Sequence, residues 1–403
     1  MTLGVGGSTA EIELAKLRSA RDVVAPIGVD ERRARIARLQ AIMREQGVAA
    51  TYLDASTTTF YFTGLRLKGS ERLHGAIIPA EGEIAYITPA FEEAKLRTMI
   101  SIEGQVRCWH EHESPTALVI ETVRAMGYAT GTLAIDPATP FFTFDGLRRA
   151  GNAFDFVNAT GVTAPCRMRK TPGEIALMTH AMGLTLEVHK AAARILREGI
   201  TTTEVEKFIG SAHTALGFDI PASFCIVLFG EATAYPHGVP YPQTLQDGDT
   251  VLIDIGAPMH GYQSDVTRTY VFGTPSPRQR EVWDVEKRAT QAVFDAAQLG
   301  APCEALDAAA RFVIEAAGFG KDYALPGLPH RTGHGIGLDV HEEPYIVRGD
   351  TTLLAPGMCF SNEPTICIYG EFGVRLEDHI WMGDSGPNWF TPPAESIDNP
   401  FGL

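Results

Sequence analysis

A chain of 403 residues, 45% hydrophobic and 21% charged, has the length of two domains and the composition of a soluble globular protein. Its formal net charge of −15 argues against nucleic acid or an anionic membrane surface as a partner, and no 18-residue apolar run marks a transmembrane helix. The first ten residues lack a basic-then-apolar signal pattern. The six cysteines lie scattered without a CxxC pair, so reduced thiols and a cytoplasmic location are expected.

Taken in chain order, residues 1–166 alternate helix and strand. Asp30–Gly47 reads as an amphipathic helix with Ile36, Leu39 and Met43 on one stripe. Strand-like runs follow at Ala50–Leu53, Ala76–Pro79, Ile84–Thr88, Thr132–Ile135 and Phe154–Asn158. Helical runs intervene at Phe91–Ile100, Thr116–Met126 and Phe144–Ala150. This is an α/β domain without a glycine-rich phosphate loop, and it carries no recognisable chemistry.

A second domain, residues 167–403, opens with a capping box at Thr171-Pro-Gly-Glu174 and a helix running to about Glu198. Thr201-Thr-Thr-Glu204 repeats the device for a shorter helix ending at Gly217. Strand signal dominates from Ala222 to Phe272. Pro277 then opens another long helix, and Pro302 a shorter one to Ala317. The order long helix, short helix, hairpin occurs twice and predicts a pseudo-twofold α+β domain.

The two hairpins resemble each other in detail. Leu245 and Gly248 precede Asp254 by nine and six residues; Leu354 and Gly357 precede Glu363 by the same spacing. Asp254 and Asp265 are equidistant from Met259–His260, and Glu363 and Glu377 are equidistant from Gly370. Residues symmetric about a hairpin turn face each other roughly 5 Å apart at Cβ. Each hairpin would therefore hold two carboxylates side by side. Four such acids share one pocket only around positive charge, and a pair of divalent metal ions is the expected source.

Other residues fit that reading. Asp254 lies in the apolar run Val251–Ile255, where an unpaired carboxylate is expensive to bury. Alternation places Asp265, Thr267 and Thr269 on one strand face, with Arg268 opposite. It likewise groups Arg375, Glu377 and His379, and turns Asp378 away as a salt-bridged structural acid. Three histidines, His330, His334 and His341, fall within twelve residues of a glycine-rich loop, and His237 lies in a shaped Pro-His-Gly loop. The ligand set is oxygen-rich with one imidazole, which suits Mn, Co, Fe or Zn better than a structural zinc site.

These motifs resemble the pita-bread metallopeptidase family of methionine aminopeptidase, aminopeptidase P and prolidase. The matching segments are Asp254-Ile-Gly, Tyr262-x-Ser-Asp265-x-Thr-Arg-Thr, Gly333-His334-Gly-Ile-Gly-Leu-Asp-Val-His341-Glu, Pro356-Gly-Met, Glu363-Pro and Gly373-Val-Arg-Leu-Glu377-Asp. They cover about residues 165–382. The additional N-terminal α/β domain resembles the creatinase, aminopeptidase P and prolidase branch.

The resemblance implies that Asp254 chelates one metal, His334 and Glu363 hold the other, and Asp265 and Glu377 bridge both. It implies manganese first, with cobalt, zinc or iron as substitutes. His237 and His341 match substrate-facing histidines that join Glu363 in catalysis, and Arg375 matches the arginine before the last ligand. His330 is a further substrate contact. Related peptidases often carry an arginine shortly before Pro-Gly-Met; here the nearest is Arg348, taken as the candidate carboxylate contact. The implied function is hydrolysis of Xaa-Pro dipeptides by a metal-bridging hydroxide, in a homodimer whose partner molecule is a short proline-containing peptide. The alternatives are an aminopeptidase P acting on longer peptides, a dimethylsulfoniopropionate lyase on the same scaffold, and a silent binding module. Five intact ligands disfavour the last, and metal-free creatinase chemistry with it.

Overall fold

The computed structural model describes residues 2–403. It separates into two compact units, Ile27–Arg167 and Met1–Pro26 together with Met168–Leu403. The opening segment thus differs from the expected 1–166 boundary. Its residues are tied into the second unit: Leu3 N–H donates to the Asp398 carbonyl (2.8 Å) and Gly6 N–H to Ala193 (2.9 Å). Val5, Leu14, Leu17 and Val24 pack on that unit's core.

Unit Ile27–Arg167 is a six-stranded mixed sheet in the order 105–109, 85–89, 75–79, 48–54, 131–135, 154–158. The helix Val29–Gln46 ends where Gly47 takes φ +69°, a conformation glycine adopts without steric cost. Three elements escape the sequence pattern, one of them the short helix Thr160–Arg167, which carries Pro165 inside it. Gln105–Trp109 is an edge strand with polar, partly exposed positions, so it lacks an apolar run. Thr57–Thr63, assigned to no element from sequence, is rich in Thr and aromatic residues, which favour strand. The Ser56 cap on Thr59 N–H and Gly64 at φ +80° make it a helix instead.

The second large unit repeats itself. Helices Pro172–Arg194 and Thr202–Leu216 precede strands 224–229, 250–256 and 266–271; helices Pro277–Ala296 and Cys303–Ala316 precede strands 333–335, 342–346, 359–362 and 378–383. The equivalence reaches single hydrogen bonds. Leu245 N–H donates to Ile200 and its carbonyl accepts from Gly199, both at 2.9 Å. Leu354 does the same with Ala301 (2.9 Å) and Gly300 (2.8 Å). Gly248 N–H meets the Phe272 carbonyl and Gly357 N–H the Met382 carbonyl, each at 2.7 Å. Both glycines sit at positive φ, +86° and +85°, which explains why glycine occupies that point of each repeat.

The two hairpins differ in register. From Cys359↔Trp381 to Ile368↔Phe372 the second keeps the pairing expected from its turn, which sets Glu363 level with Glu377. The first turns at His260-Gly261, both at positive φ (51° and 93°), as a two-residue type I′ turn requires. That turn centre lies one residue beyond the expected one. Asp254 therefore pairs with Thr267, and Asp265 is its diagonal neighbour rather than its direct partner. Period-2 alternation still keeps Asp265 and Thr267 on one face.

Candidate metal centre

The four carboxylates and His334 converge where the ladders open. Glu363 leaves its strand after Asn362 and donates its N–H to the Thr332 carbonyl (2.9 Å). Glu377 bridges instead to Thr267, joining the two halves of the repeat. His334 sits between two glycines on a three-residue strand. A Cβ on Gly333 would lie 2.1 Å from the Ser361 carbonyl oxygen, and one on Gly335 2.5 Å from that of Glu343. Only glycine lets the backbone come that close and carry the imidazole into the site.

His334 Nδ1 lies 3.1 Å from the Gly335 carbonyl. A carbonyl only accepts, so Nδ1 holds a proton and Nε2 faces inward, where it donates to Glu363 when protonated and would offer its lone pair to a bound cation. That Nε2 is 3.0 Å from Glu363 Oε1 and 3.7 Å from Asp265 Oδ2. Ser361 Oγ fastens both groups, accepting from His334 N–H (2.8 Å) and donating to Glu363 Oε1 (3.1 Å). Thr267 Oγ1 donates to Glu377 Oε2 (2.6 Å), and Arg375 Nη2 to Asp254 Oδ2 (2.6 Å).

The remaining oxygens decide what the site holds. Asp254 Oδ1, Asp265 Oδ1 and Glu377 Oε1 are buried without any hydrogen-bond partner. Ligand atoms of Asp254, Asp265 and Glu377 lie within 4.8 Å of one another, as do those of His334, Glu363 and Glu377. Burial, and then the neighbouring carboxylates, push Asp265 and Glu377 well above the usual carboxylate range. Asp254 is also raised, chiefly by burial, against the pull of Arg375. Burial acts upward on Glu363 too, but the His334 imidazole outweighs it and holds Glu363 low. Among the described residues, Arg375 is the only guanidinium bonded to a carboxylate of the four, that of Asp254, too little positive charge to balance them. Orphaned carboxylate oxygens beside an inward-facing imidazole nitrogen are the donor set of divalent cations, and these residues fit such an ion.

The centre opens into a cavity of about 600 Å³ whose wall includes Pro236, His237, His330, Arg331 and His341. The His341 ring packs tilted against that of His334, their centres 4.0 Å apart, and burial lowers it to about 4. His330 reaches the same wall but is held by the Arg331 carbonyl (2.6 Å) and Thr365 Oγ1 (3.1 Å).

Arg348 does not reach the cavity. It is exposed, pairs with Asp322 and lines a separate surface depression. Two cations line the cavity wall: Arg375, already committed to Asp254, and Arg331, over the Tyr345 ring at 4.5 Å. The place of Arg331 beside His330 in the histidine loop was the available signal. Distance along the chain from Pro356-Gly357 points to Arg348, but the fold turns that residue to the surface. Asp378 turns away and takes both terminal nitrogens of buried Arg268, at 2.8 and 3.1 Å, as alternation predicts. His379, grouped on the inner face but given no role from sequence, closes a third cluster with Asp265 and His334.

Comparison with known proteins agrees with this geometry. Residues 176–384 match the model of metallopeptidase family M24, and residues 35–169 the creatinase/prolidase N-terminal domain. The chain belongs to metallopeptidase family M24. It is 34% identical to an Xaa-Pro dipeptidase of Lactobacillus helveticus, over 88% of this chain and 95% of that protein. Among solved structures, dipeptidase PepE of Mycobacterium ulcerans superposes with a TM-score of 0.84 at 33% identity, covering 91% of this chain and 97% of PepE. A prolidase of Thermococcus sibiricus superposes with a TM-score of 0.81 at 32% identity, covering 89% and 96%. The family and the pita-bread fold expected from the motifs are thereby established, and this M24 member is a metallopeptidase with a creatinase-type N-terminal domain. Among the described residues, no helix is long and apolar enough to cross a membrane.

Proposed function

We propose that this M24 peptidase is a dinuclear Xaa-Pro dipeptidase. The observation that carries the reading is the meeting of three orphaned carboxylate oxygens with His334 and Glu363 at the floor of a peptide-sized cavity. The relatives named for Xaa-Pro dipeptidase and prolidase activity support the substrate class. Asp254 would hold one ion, His334 and Glu363 the other, with Asp265 and Glu377 shared; manganese is proposed first, with cobalt, zinc or iron as substitutes. When bound, two divalent ions polarise the scissile carbonyl and bring the pKa of a water towards neutrality.

The chain's own groups supply the rest. Glu363 stays ionised beside His334 and accepts the proton of the attacking water. Ser361 fixes its carboxylate for that task. An Xaa-Pro bond is a tertiary amide, so its nitrogen departs only when protonated. On the cavity wall, His341, kept neutral by burial, steadies the developing oxyanion through its N–H, and His237 relays to the leaving nitrogen the proton that Glu363 took from the water. Arg331 faces the same space and is placed to receive a substrate carboxylate, the role first assigned to Arg348. The working partner is a short proline-containing peptide and the working form a cytoplasmic homodimer; nucleic acid and membranes have no part in it.

Kinetics on an Xaa-Pro dipeptide, a longer Xaa-Pro-led peptide and an Xaa-Ala dipeptide test the reading. Preference for the first supports it. Preference for the longer peptide moves the chain to aminopeptidase P, and dimethylsulfoniopropionate cleavage without peptide hydrolysis would move it to a lyase.

A further inference from the structure

We infer that His379 is a sixth protein ligand of the metal centre, giving one of the two ions a second imidazole beside that of His334. The inference rests on the centre described above and adds a residue to it.

His379 occupies the strand Asp378–Gly383 opposite Ser361, two residues beyond Glu377 and on the same face. It is fully buried, no side chain bonds either ring nitrogen, and the one group that acts on the ring as a hydrogen-bond partner is the Asp265 backbone, which leaves a nitrogen free to ligate. Its Nε2 lies 3.9 Å from Asp265 Oδ2, and its ring centre 6.0 Å from that of His334, nearly edge-on. One ligand atom each from Asp265, His334 and His379 falls within 4.8 Å of the others. Donors bound at about 2.1 Å to one ion stand about 3 to 4 Å apart, so Asp265 with either imidazole already spans a bonding distance.

Two other buried histidines show what a packing role looks like here. His189 Nε2 lies 2.9 Å from the Val266 carbonyl. His213 also lacks side-chain partners but stands edge-on to the Phe218 ring at 4.8 Å, with no carboxylate facing it. His379 alone of the three faces a carboxylate oxygen and a second imidazole. A second imidazole also changes the selectivity expected of the centre. Two nitrogen donors favour zinc, cobalt and iron over manganese at the ion they share, whereas the ion among Asp254, Asp265 and Glu377 keeps an all-oxygen set.

The test is proton NMR of the Co(II)-loaded full chain in water, joined to calorimetric Co(II) titration. A ligating neutral imidazole shows one strongly shifted, solvent-exchangeable N–H signal. The wild type is expected to show two. His379→Gln should leave one and weaken binding of one of the two ions about 10-fold or more, with the other unchanged. A single such signal in the wild type, or two retained in His379→Gln with unaltered affinities, would overturn the assignment. The wild-type spectrum decides even where the variant fails to fold. Absence of Co(II) binding altogether would instead reject the metal centre itself.

Discussion

Arg375 Nη2 stands 2.6 Å from Asp254 Oδ2, and its Nη1 3.1 Å from the Pro236 carbonyl. One guanidinium thus links the first carboxylate of the centre to the loop that carries His237. Burial opposes its charge, but Asp254, Glu363 and Glu377 outweigh burial and raise it, so it remains a cation. Arg375→Lys keeps charge and loses the fork. We expect metal affinity to fall about 10- to 100-fold, as for other residues that orient a ligand, with kcat/KM falling in parallel. Calorimetric titration with Mn(II) measures it; unchanged affinity would show that Asp254 needs no such support.

Asp265 and Glu377 appear together in the cluster with Asp254, and each also joins a cluster containing His334. On the proposed dinuclear reading each would touch both ions. Asp265→Ala or Glu377→Ala should abolish binding of both, read by elemental analysis of metal-replete protein. Retention of two ions in either variant contradicts the bridging role.

His341 lies against His334 but outside every ligand cluster. His341→Ala should lower kcat/KM by about 10²-fold, the scale of a lost acid–base or oxyanion group, while two ions remain bound. Loss of metal along with activity would reassign it as a ligand.

Arg331 and Arg348 separate cleanly. Arg331→Ala should raise KM for an Xaa-Pro dipeptide about 10-fold with kcat little changed, the mark of lost ground-state binding. Arg348→Ala, removing an exposed pair with Asp322, should leave both constants within about twofold. The reverse pattern would restore the original choice.

Much of the site was legible because strand alternation and repeated spacing are local properties. Thr267 and Thr269 were grouped correctly: one hydroxyl serves Glu377, and the other bonds the Arg375 backbone on both sides, at 2.7 and 3.1 Å. The first hairpin's register was missed by one pair because its turn is set by positive φ at His260, which residue symmetry does not reveal. His379 gains its meaning from neighbours distant in sequence, Asp265 and Ser361, whereas Arg331 carried a local signal beside His330 but no feature that set it above Arg348. The opening segment was misplaced because its anchors, Val271, Ala193 and Asp398, lie hundreds of residues away.

Burial lowers His189 to about 3, so it stays neutral in the fold while the unfolded chain gains its proton below about pH 6.5. The unfolded state binds more protons there, so stability falls with acidification, by up to about 1.4 kcal/mol per pH unit from this residue until the folded group titrates. Urea unfolding of metal-free wild type and His189→Gln at pH 7, 6 and 5 measures the difference. The variant, though less stable at pH 7, should lose less between pH 7 and 5; parallel curves would contradict the assignment.

The central claim is that four carboxylates and His334 hold two ions for cleaving an Xaa-Pro bond. The most direct measurement is the rate of Xaa-Pro dipeptide hydrolysis as Mn(II) is titrated into metal-free protein. Activity rising to a plateau at two equivalents, with an Xaa-Ala dipeptide left uncleaved, is the predicted result. Two bound ions without hydrolysis of the dipeptide, or full hydrolysis with no ion bound, would contradict it.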